Sequence, residues 1–380
     1  MAVLFFITFL MLLMWSFLLY PLVIYLLSVF FPTPVAKGSS YPGKVSMIVA
    51  AHNEEDVIRE KVQNCLMLDF GASDSEIIIV SDGSTDNTNK ILSEYIGASP
   101  RLHILTYEQR AGKSNALNVG VSHSTGDILI FSDANVMLEP DAPRNLLMPF
   151  ADPTVGASCG KVLVRPRGTD EIAGESLYMK FEGMIQKAEG RFWSMVGIDG
   201  ALFALRKELF RPLDPGVILD DFTLSMEAPL AGKRIVYVED ALGVEEAIAL
   251  ASNEFKRKTR IVSGGYQYLS MLLSKKVRMD YRVWFSFISH KIFRWIAPML
   301  MIGMLVSNVF LLRKRLFSYF LTGQFIFYSL ALGAHYILRL RKFHIFYIPY
   351  YFCVVNLAAL IGLIRFLSAR QNVLWDKVKR

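Results

Sequence analysis

Apolar residues dominate both ends of this chain. Residues 1–36 carry no charged side chain, and the apolar run that begins at Ala2 is longer than the roughly 20 residues that a helix needs to cross a bilayer. A cleavable signal peptide would begin with basic residues and have a shorter apolar core. We therefore predict a retained membrane anchor at residues 1–36, with a kink at Pro21. Three further apolar stretches of near spanning length cover residues 295–312, 317–338 and 345–366.

Between these apolar ends, short apolar strands alternate with polar turns and helical stretches. The pattern predicts strands at residues 45–51, 76–80, 102–106 and 127–132, and helical periodicity follows each of the first three. This alternation is typical of βαβ units in a parallel sheet. It predicts an α/β domain at residues 37–270, which is Rossmann-like and built on a mostly parallel sheet.

After residue 150 the pattern becomes irregular. It predicts further strands at residues 155–164, 201–205 and 234–238, and helices at residues 171–191 and 253–268. Residues 271–294 are then expected to form an interfacial segment. Residues 295–380 are expected to form a C-terminal membrane region with about three transmembrane helices.

Polar side chains follow the predicted parallel strands or open the helices after them. Because ligands of open α/β sheets bind beyond the carboxyl ends of the strands, we expect these side chains to meet in one crevice. Ordinary explanations exist for each one: Asp82-Gly83 is a common turn dipeptide, and Asp86 could cap a helix. The joint pattern favours a site. Its members are Asn53, Glu54, Asp82, Asp86, Lys113 and Asp133.

The net charge of +7 comes largely from basic clusters near the apolar stretches, at residues 313–315, 339–342 and 377–380, and from residues 256–258. Such clusters suit a membrane face or phosphate-bearing ligands, and without interleaved aromatic residues they do not indicate nucleic acid.

Lys37 and Lys44 follow the first span and place the domain in the cytoplasm by the positive-inside rule. We therefore expect a multi-pass protein of the cell membrane. Strict alternation of spans would put residues 313–315 outside, against the same rule, and residues 339–342 inside. The three cysteines are scattered without paired spacing, which is typical of a reducing compartment and gives no metal knuckle.

The ordered polar segments resemble the family 2 glycosyltransferases with a GT-A fold. The flanking spans are similar to the membrane-integrated branch of that family, which includes synthases of cellulose, hyaluronan and poly-N-acetylglucosamine. The resemblance covers about residues 44–270. It rests on segments 52–55 (His-Asn-Glu-Glu), 81–86 (Ser-Asp-Gly-Ser-Thr-Asp), 112–118 (Gly-Lys-Ser-Asn-Ala-Leu-Asn), 132–135 (Ser-Asp-Ala-Asn), 220–221 (Asp-Asp) and 257–260 (Arg-Lys-Thr-Arg).

On the donor side, the resemblance implies a nucleotide-sugar, usually a UDP-sugar. It places Asn53, Glu54 and Asp82 around the uridine and Lys113 near the nucleotide. Asp133 matches the first Asp of a DxD motif, which binds Mg²⁺ or Mn²⁺ through the donor diphosphate. Such hard cations prefer carboxylate and phosphate oxygens.

On the acceptor side, the resemblance makes Asp221 the general base of an inverting transfer, with Asp199, Gly200 and Asp220 beside it. The alternative for Asp220 and Asp221 is the charged start of a helix. Arg257 and Arg260 are spaced to share one helix face, where they could clamp the diphosphate, contact anionic lipid or simply face solvent.

Two positions depart from the family pattern. Asn135 replaces the second Asp of DxD, although an amide oxygen can still ligate a metal. Ile261 replaces the Trp that follows the Arg pair in processive polymerases, so it offers no aromatic face to a sugar. Trp193 or Tyr178 could supply that face, but a core role is the simpler expectation for both.

We expect an inverting transferase that acts on a growing polysaccharide or a lipid-linked acceptor at the cytoplasmic membrane face. The alternative is a non-catalytic subunit of a polysaccharide assembly or export complex, which Asn135 and Ile261 favour. Membrane lipids are expected partners in either case. Because three C-terminal spans are few for a polymer channel, secretion of a polymer would need an export partner or an oligomer.

Overall fold

The computed structural model describes residues 1–36, 38, 41–166, 173–198, 200–247, 251–274 and 277–368. At its centre is a single mixed sheet of eight strands. The strands are β1 (Lys44–Ala51), β2 (Asp74–Asp82), β3 (Leu102–Tyr107), β4 (Ile128–Asp133), β5 (Val136–Leu138), β6 (Val155–Pro166), β7 (Leu202–Arg206) and β8 (Arg234–Ala247). They lie in the order β3-β2-β1-β4-β7-β6-β8-β5.

The first half of the sheet is parallel, as the repeating pattern predicts. Strands β3, β2, β1 and β4 are neighbours, and Ile48 of β1 lies opposite Ile78 and Phe131. Alternate residues of β1 enter two different cores, with Ile48 on one side and Met47 and Val49 on the other. Both faces are therefore covered, which explains why these strands are continuously apolar.

The second half of the sheet is mixed. Strand β7 is antiparallel to both β4 and β6, while β6 and β8 are parallel. Strand β8 continues well past the predicted end at residue 238, because Glu239 and Asp240 interrupt the apolar pattern without ending the pairing. The short strand β5, which pairs with β8, was not predicted.

Thirteen α-helices are assigned within the described parts of the chain. They are α1 (Ala2–Met14), α2 (Tyr20–Phe30), α3 (Ile58–Leu66), α4 (Thr88–Ser93), α5 (Lys113–Ser122), α6 (Ala142–Leu147), α7 (Ala173–Phe192), α8 (Asp220–Leu230), α9 (Ala251–Ser274), α10 (Tyr281–Ser286), α11 (Phe293–Val309), α12 (Arg315–Tyr336) and α13 (His344–Leu367). Two π-helical segments, Trp15–Leu19 and Phe287–Ile292, join α1 to α2 and α10 to α11.

Four helical segments are long and apolar enough to cross a membrane, judged by length and composition. They are Ala2–Phe30, Tyr281–Val309, Arg315–Tyr336 and His344–Leu367. The second begins earlier than the apolar stretch expected from residue 295, so helix covers part of the predicted interfacial segment. The domain boundaries given above stay a prediction.

Arg234 ties the first membrane helix to the sheet. This buried side chain donates to the carbonyl oxygens of Thr33 and Pro34, at 2.7 and 3.4 Å, just beyond the end of α2. It also donates to the carbonyl oxygen of Trp193 at 2.7 Å. The chain therefore leaves the apolar segment through a fixed connection to the domain.

A buried ionic cluster joins the domain to the membrane helices. Glu182 of α7 lies 2.9 Å from His290, 3.4 Å from Lys291 and 2.8 Å from Arg294. Although burial opposes ionisation, these three cations hold the pKa of Glu182 well below its usual range. Glu189 extends the cluster, since one of its oxygens accepts from the Tyr20 hydroxyl at 2.5 Å and lies 2.8 Å from His290.

We predict that Glu182→Gln lowers the free energy of unfolding by about 3–5 kcal/mol, because His290, Lys291 and Arg294 would lose their shared buried counter-charge. The matched control is Glu239→Gln, which removes a half-exposed ion-pair partner of Lys187 and should cost less than about 1 kcal/mol. Thermal unfolding of the detergent-purified chain measures both. Equal losses for the two variants would contradict a structural role for the buried cluster.

Candidate functional site

A small cleft lies at the junction of the parallel and mixed halves of the sheet. Its floor comes from the carboxyl ends of β1 and β4, and its walls come from the starts of α5 and α8 and the chain before β7. This is the edge at which open α/β sheets bind ligands. The cleft is lined by Ala50, Lys113, Leu117, Phe131, Ser132, Asp133, Gly200, Ala201, Phe203, Asp220 and Asp221.

Lys113 lies at the centre of this cleft. Its ammonium group lies 2.8 Å from Asp133 and 3.0 Å from Asp220. Burial favours the neutral amine, but the charges of Asp133, Asp220 and Asp221 outweigh it and raise the pKa of Lys113 above its usual value. Lys113 is therefore protonated at neutral pH and links the end of β4 to the start of α8.

Asp220 and Asp221 are the first two residues of α8, where carboxylates also complement the helix dipole. Burial raises the pKa of Asp220, but Lys113 and Arg260 bring it below its usual value. The Asp221 carboxylate accepts from the backbone N–H groups of Gly200, at 3.1 Å, and Phe222, at 2.7 Å. The N-cap position of α8 is Leu219, so neither acid is the N-cap; both lie in the first turn of the helix and line the cleft.

Asp82 holds the loop that leads to Lys113. Its two carboxylate oxygens accept from the backbone N–H groups of Ala111, at 2.7 Å, and Gly112, at 2.8 Å. The loop also packs closely on Gly83, where a methyl group would lie 2.4 Å from the Arg110 nitrogen. Asp82 is itself buried, so its carboxylate fixes the position of the loop from beneath.

Asn53 and Glu54 lie in the neighbouring turn after β1. Asn53 has a positive φ of 55°, a conformation that Asn tolerates better than most residues. Its side-chain oxygen accepts from the Thr85 N–H at 2.7 Å, which joins this turn to the one after β2. Glu54 is buried, and its N–H donates to Thr88 at 2.8 Å. The two turns form a second group of polar residues, beside the Lys113 cleft.

Asp86 supports this turn instead of lining the cleft. Its carboxylate accepts from the backbone N–H of Thr88 at 2.9 Å and from that of Glu55 at 3.2 Å. The contact with Thr88 steadies the start of α4, but the N-cap position of this helix is Asn87, so the expectation that Asp86 caps the helix was wrong.

Asn135 lies just beyond β4, and Glu245 of β8 orients it. The Asn135 amide nitrogen donates to the Glu245 carboxylate at 2.8 Å, which leaves the amide oxygen as the acceptor. Sequence reasoning missed Glu245, because no local pattern relates it to a residue so far away in the chain. The pairing of β5 with β8, with Val136 opposite Glu245, brings the two side chains together.

Arg260 approaches the cleft from α9. Its guanidinium group donates to the carbonyl oxygen of Ile218 at 3.1 Å, and its charge acts on Asp220. Arg257 lies one turn earlier on the same helix and is exposed. Asp199, predicted on the acceptor side, lies outside the described residues.

Trp193 does not present an open ring to a sugar. The guanidinium carbon of Arg282 lies 3.6 Å from the ring centroid, and that of Arg234 lies 5.0 Å from it. The ring therefore stacks with two cations, in agreement with a structural role. The side chain of Tyr178 lies outside the described part of the chain.

The oxygen ligands at the end of β4 suit a hard divalent cation. Within the described residues, no cluster of three or more His, Cys, Asp or Glu could form a metal cage. Mg²⁺ and similar ions are commonly held by one or two protein carboxylates together with substrate phosphates. Asp133 and the amide oxygen of Asn135 fit that pattern, in which a bound diphosphate supplies the remaining ligands.

Comparisons with known sequences point to one family. A family model described as "Glycosyl transferase family 2" matches residues 46–213. A poly-beta-1,6-N-acetyl-D-glucosamine synthase from Staphylococcus aureus (strain MSSA476) is 27% identical over 232 residues, 59% of this chain and 55% of that relative. The enzyme of the same name from Staphylococcus epidermidis is 25% identical over 232 residues, with the same coverage. The chain thus spans about half the length of these curated relatives.

Among solved structures, a mannosyltransferase from Pyrobaculum calidifontis, in complex with GDP-Man and Mn²⁺, has a similar fold. The TM-score is 0.73 at 20% sequence identity, and the match covers 97% of this chain and 100% of that one. At this identity the likeness concerns the fold alone. Together with the family match it confirms the predicted GT-A architecture, and the four candidate membrane helices are identified by length and composition. Residues 46–213 of this chain thus form a domain that matches the glycosyl transferase family 2 model.

Proposed function

We propose that this protein is a membrane-bound inverting glycosyltransferase. It transfers a sugar from a nucleotide-sugar, with a UDP-sugar the expected donor, to a growing polysaccharide or a lipid-linked acceptor at the cytoplasmic membrane face. One observation carries the proposal: Lys113, Asp133, Asp220 and Asp221 line one cleft at the carboxyl edge of the sheet in a family 2 domain. The similarity to poly-beta-1,6-N-acetyl-D-glucosamine synthases supports the polysaccharide acceptor.

The nucleotide is bound on the β1 and β2 side. Asn53, Glu54 and Asp82 form the base and ribose pocket, and Asp82 keeps the Lys113 loop in place. The donor diphosphate reaches the cleft next to Lys113, whose raised pKa keeps it cationic there. Arg260, and Arg257 one turn away, add positive charge from α9. Cations at these positions stabilise the charge that develops on the departing diphosphate.

Asp133 and Asn135 would hold a divalent cation against the donor diphosphate, with Glu245 orienting the amide. A bound Mg²⁺ or Mn²⁺ would neutralise part of the leaving group's charge. In the structure the Lys113 ammonium pairs with Asp133 at 2.8 Å, which sets this cation beside the proposed position of the metal and the diphosphate.

Asp221 is the proposed general base. Its carboxylate takes the proton from the acceptor hydroxyl while that oxygen bonds to the anomeric carbon and the bond to the diphosphate oxygen breaks. In-line attack of this kind inverts the anomeric centre. The N–H of Gly200 holds the carboxylate in place, and Asp220 stays ionised beside Lys113. Asp199 belongs to the same acceptor side in this proposal.

We expect Asp221→Asn to reduce transfer by about 10²- to 10⁴-fold, the usual contribution of general base catalysis. Affinity for UDP should stay within about twofold, because the residue faces the acceptor; a change that small is well below 1 kcal/mol. The assay follows labelled sugar from the nucleotide donor into product by membranes that contain the full chain. Asp214→Asn, a change at an exposed acid before α8, is the matched control and should keep full activity. Full activity in Asp221→Asn would refute the assignment.

Asp133→Asn should remove most of the metal dependence of UDP binding. The wild type should bind UDP at least about tenfold more tightly with Mn²⁺ than with a chelator, a difference of about 1.4 kcal/mol. The variant should show little difference between the two conditions. Calorimetric titration of the purified chain measures this, with Asp127→Asn, an exposed acid just before β4, as the matched control. Equal affinity with and without metal in the wild type would contradict the metal site.

A further inference from the structure

The ends of three membrane helices meet the catalytic domain. The last turns of α13 pack on α9: a methyl group on Gly362 would lie 2.8 Å from the Thr259 carbonyl oxygen, and Phe366 stacks on Tyr266 with centroids 6.0 Å apart. Beyond α2, Thr33 donates its N–H to Arg191 of the domain at 2.9 Å. At the start of the helix Tyr281–Val309, Arg282 stacks on the ring of Trp193 in the domain. Helix α13 therefore ends on the domain side of the membrane.

The opposite ends of the helices meet far from the domain. Phe6, near the start of α1, packs with Leu311 and with Phe317, the ring of which lies 5.1 Å from its own. Phe9 of α1 similarly packs on Gly303, near the end of α11. The start of α12 is therefore at the membrane face opposite the domain.

The end of α12 lies at that same face. Helix α13 has 24 residues, about 36 Å of helix, and it runs toward the domain, so its first residue lies at the opposite face. Only the short segment Leu338–Lys342 separates it from α12, and Gly333 of α12 is next to Phe346 of α13. Both ends of α12 thus lie on one side. Helix α12 therefore runs across the outer ends of the neighbouring helices and does not cross the bilayer.

One face of α12 covers an apolar groove of about 620 Å³, within the usual size range of ligand pockets. Residues of this face over three turns line the groove together with the outer halves of α1, α11 and α13. Its polar surface is negligible beside its apolar surface. The groove is lined by Leu10, Leu13, Met301, Met304, Leu316, Tyr319, Phe320, Gly323, Gln324, Phe327, Tyr328, Ile348 and Phe352.

Basic side chains stand at both ends of α12. Arg313 and Lys314 precede the helix, Arg315 is its first residue, Arg339 and Lys342 follow its last turn, and all five are exposed. With both ends of α12 on one side, these cations share one membrane face, in contrast to the alternation expected from the apolar pattern. They stand at the two ends of α12, the first group next to Leu316 of the groove lining.

We propose that α12 lies across the membrane face opposite the catalytic domain and covers a binding site for an anionic phospholipid. A hydrocarbon chain fills the groove, and the phosphate is held by the basic residues next to Arg315 or Lys342. The apolar lining selects a hydrocarbon chain over water, and the charge selects anionic over zwitterionic headgroups. The proposal does not depend on the transfer chemistry.

The placement of α12 is tested with single cysteines in sealed membrane vesicles, in a background in which Cys65, Cys159 and Cys353 are replaced. Lys314→Cys and Lys342→Cys should react with a membrane-impermeant maleimide from the same side. Ser93→Cys, in the catalytic domain, should react from the other side. Labelling of positions 314 and 342 from opposite sides would show that α12 crosses the bilayer and would overturn the proposal.

The lipid site is tested by filling the groove. Gly323 has open space beside it, so Gly323→Phe should fit without a clash and displace the chain. Ser329→Phe, at an exposed position on the opposite face of α12, is the matched control.

In native mass spectrometry of the full chain, phosphatidylglycerol should be retained over phosphatidylcholine by about tenfold, or about 1.4 kcal/mol. Gly323→Phe should reduce that retention at least about fivefold, close to 1 kcal/mol, and Ser329→Phe should not. Equal retention of the two lipids, or no effect of Gly323→Phe, would contradict the site.

Discussion

The two ion pairs of Lys113 connect the parallel half of the sheet to the helix that packs on its mixed half. Asp133 ends the last strand of the parallel half, whereas Asp220 starts a helix that packs on the mixed half. Without a cation between them, these two carboxylates in a partly dehydrated cleft would repel each other. The lysine thus allows two acidic elements to close on one site. Lys113 also provides a positive charge next to the proposed position of the donor diphosphate.

The same principle operates at the membrane side of the domain. Glu182 lies among three cations, and Glu189 accepts from both a membrane-helix tyrosine and His290. Buried charges of this kind are unfavourable unless they are paired, so the contacts of Glu182 and Glu189 favour the arrangement in which these helices pack on the domain. The cluster thus links the domain to the helices that carry Tyr20 and His290. Such a link suits an enzyme whose acceptor is a lipid or a membrane-bound polymer.

The sequence predicts the parallel half of the sheet well and the mixed half less well. Strands such as β1 and β4 are buried on both faces, so their apolar runs mark them within one or two residues. Strand β8 is different, because its polar residues at 239 and 240 stay paired inside the sheet. Contacts between distant residues, such as Asn135 with Glu245, depend on strand order and have no local signal. The hydropathy pattern likewise predicts α12 as an apolar helix, but it does not show that α13 runs back toward the domain.

The central claim is that the cleft around Lys113 carries out glycosyl transfer. The most direct measurement is the release of free nucleotide by the purified full chain from a panel of nucleotide-sugars that includes UDP-GlcNAc and GDP-Man. We expect release from one donor class that depends on Mg²⁺ or Mn²⁺ and on the presence of a membrane acceptor. Absence of release from every donor, with nucleotide binding intact, would contradict the claim and favour a non-catalytic subunit of an assembly complex.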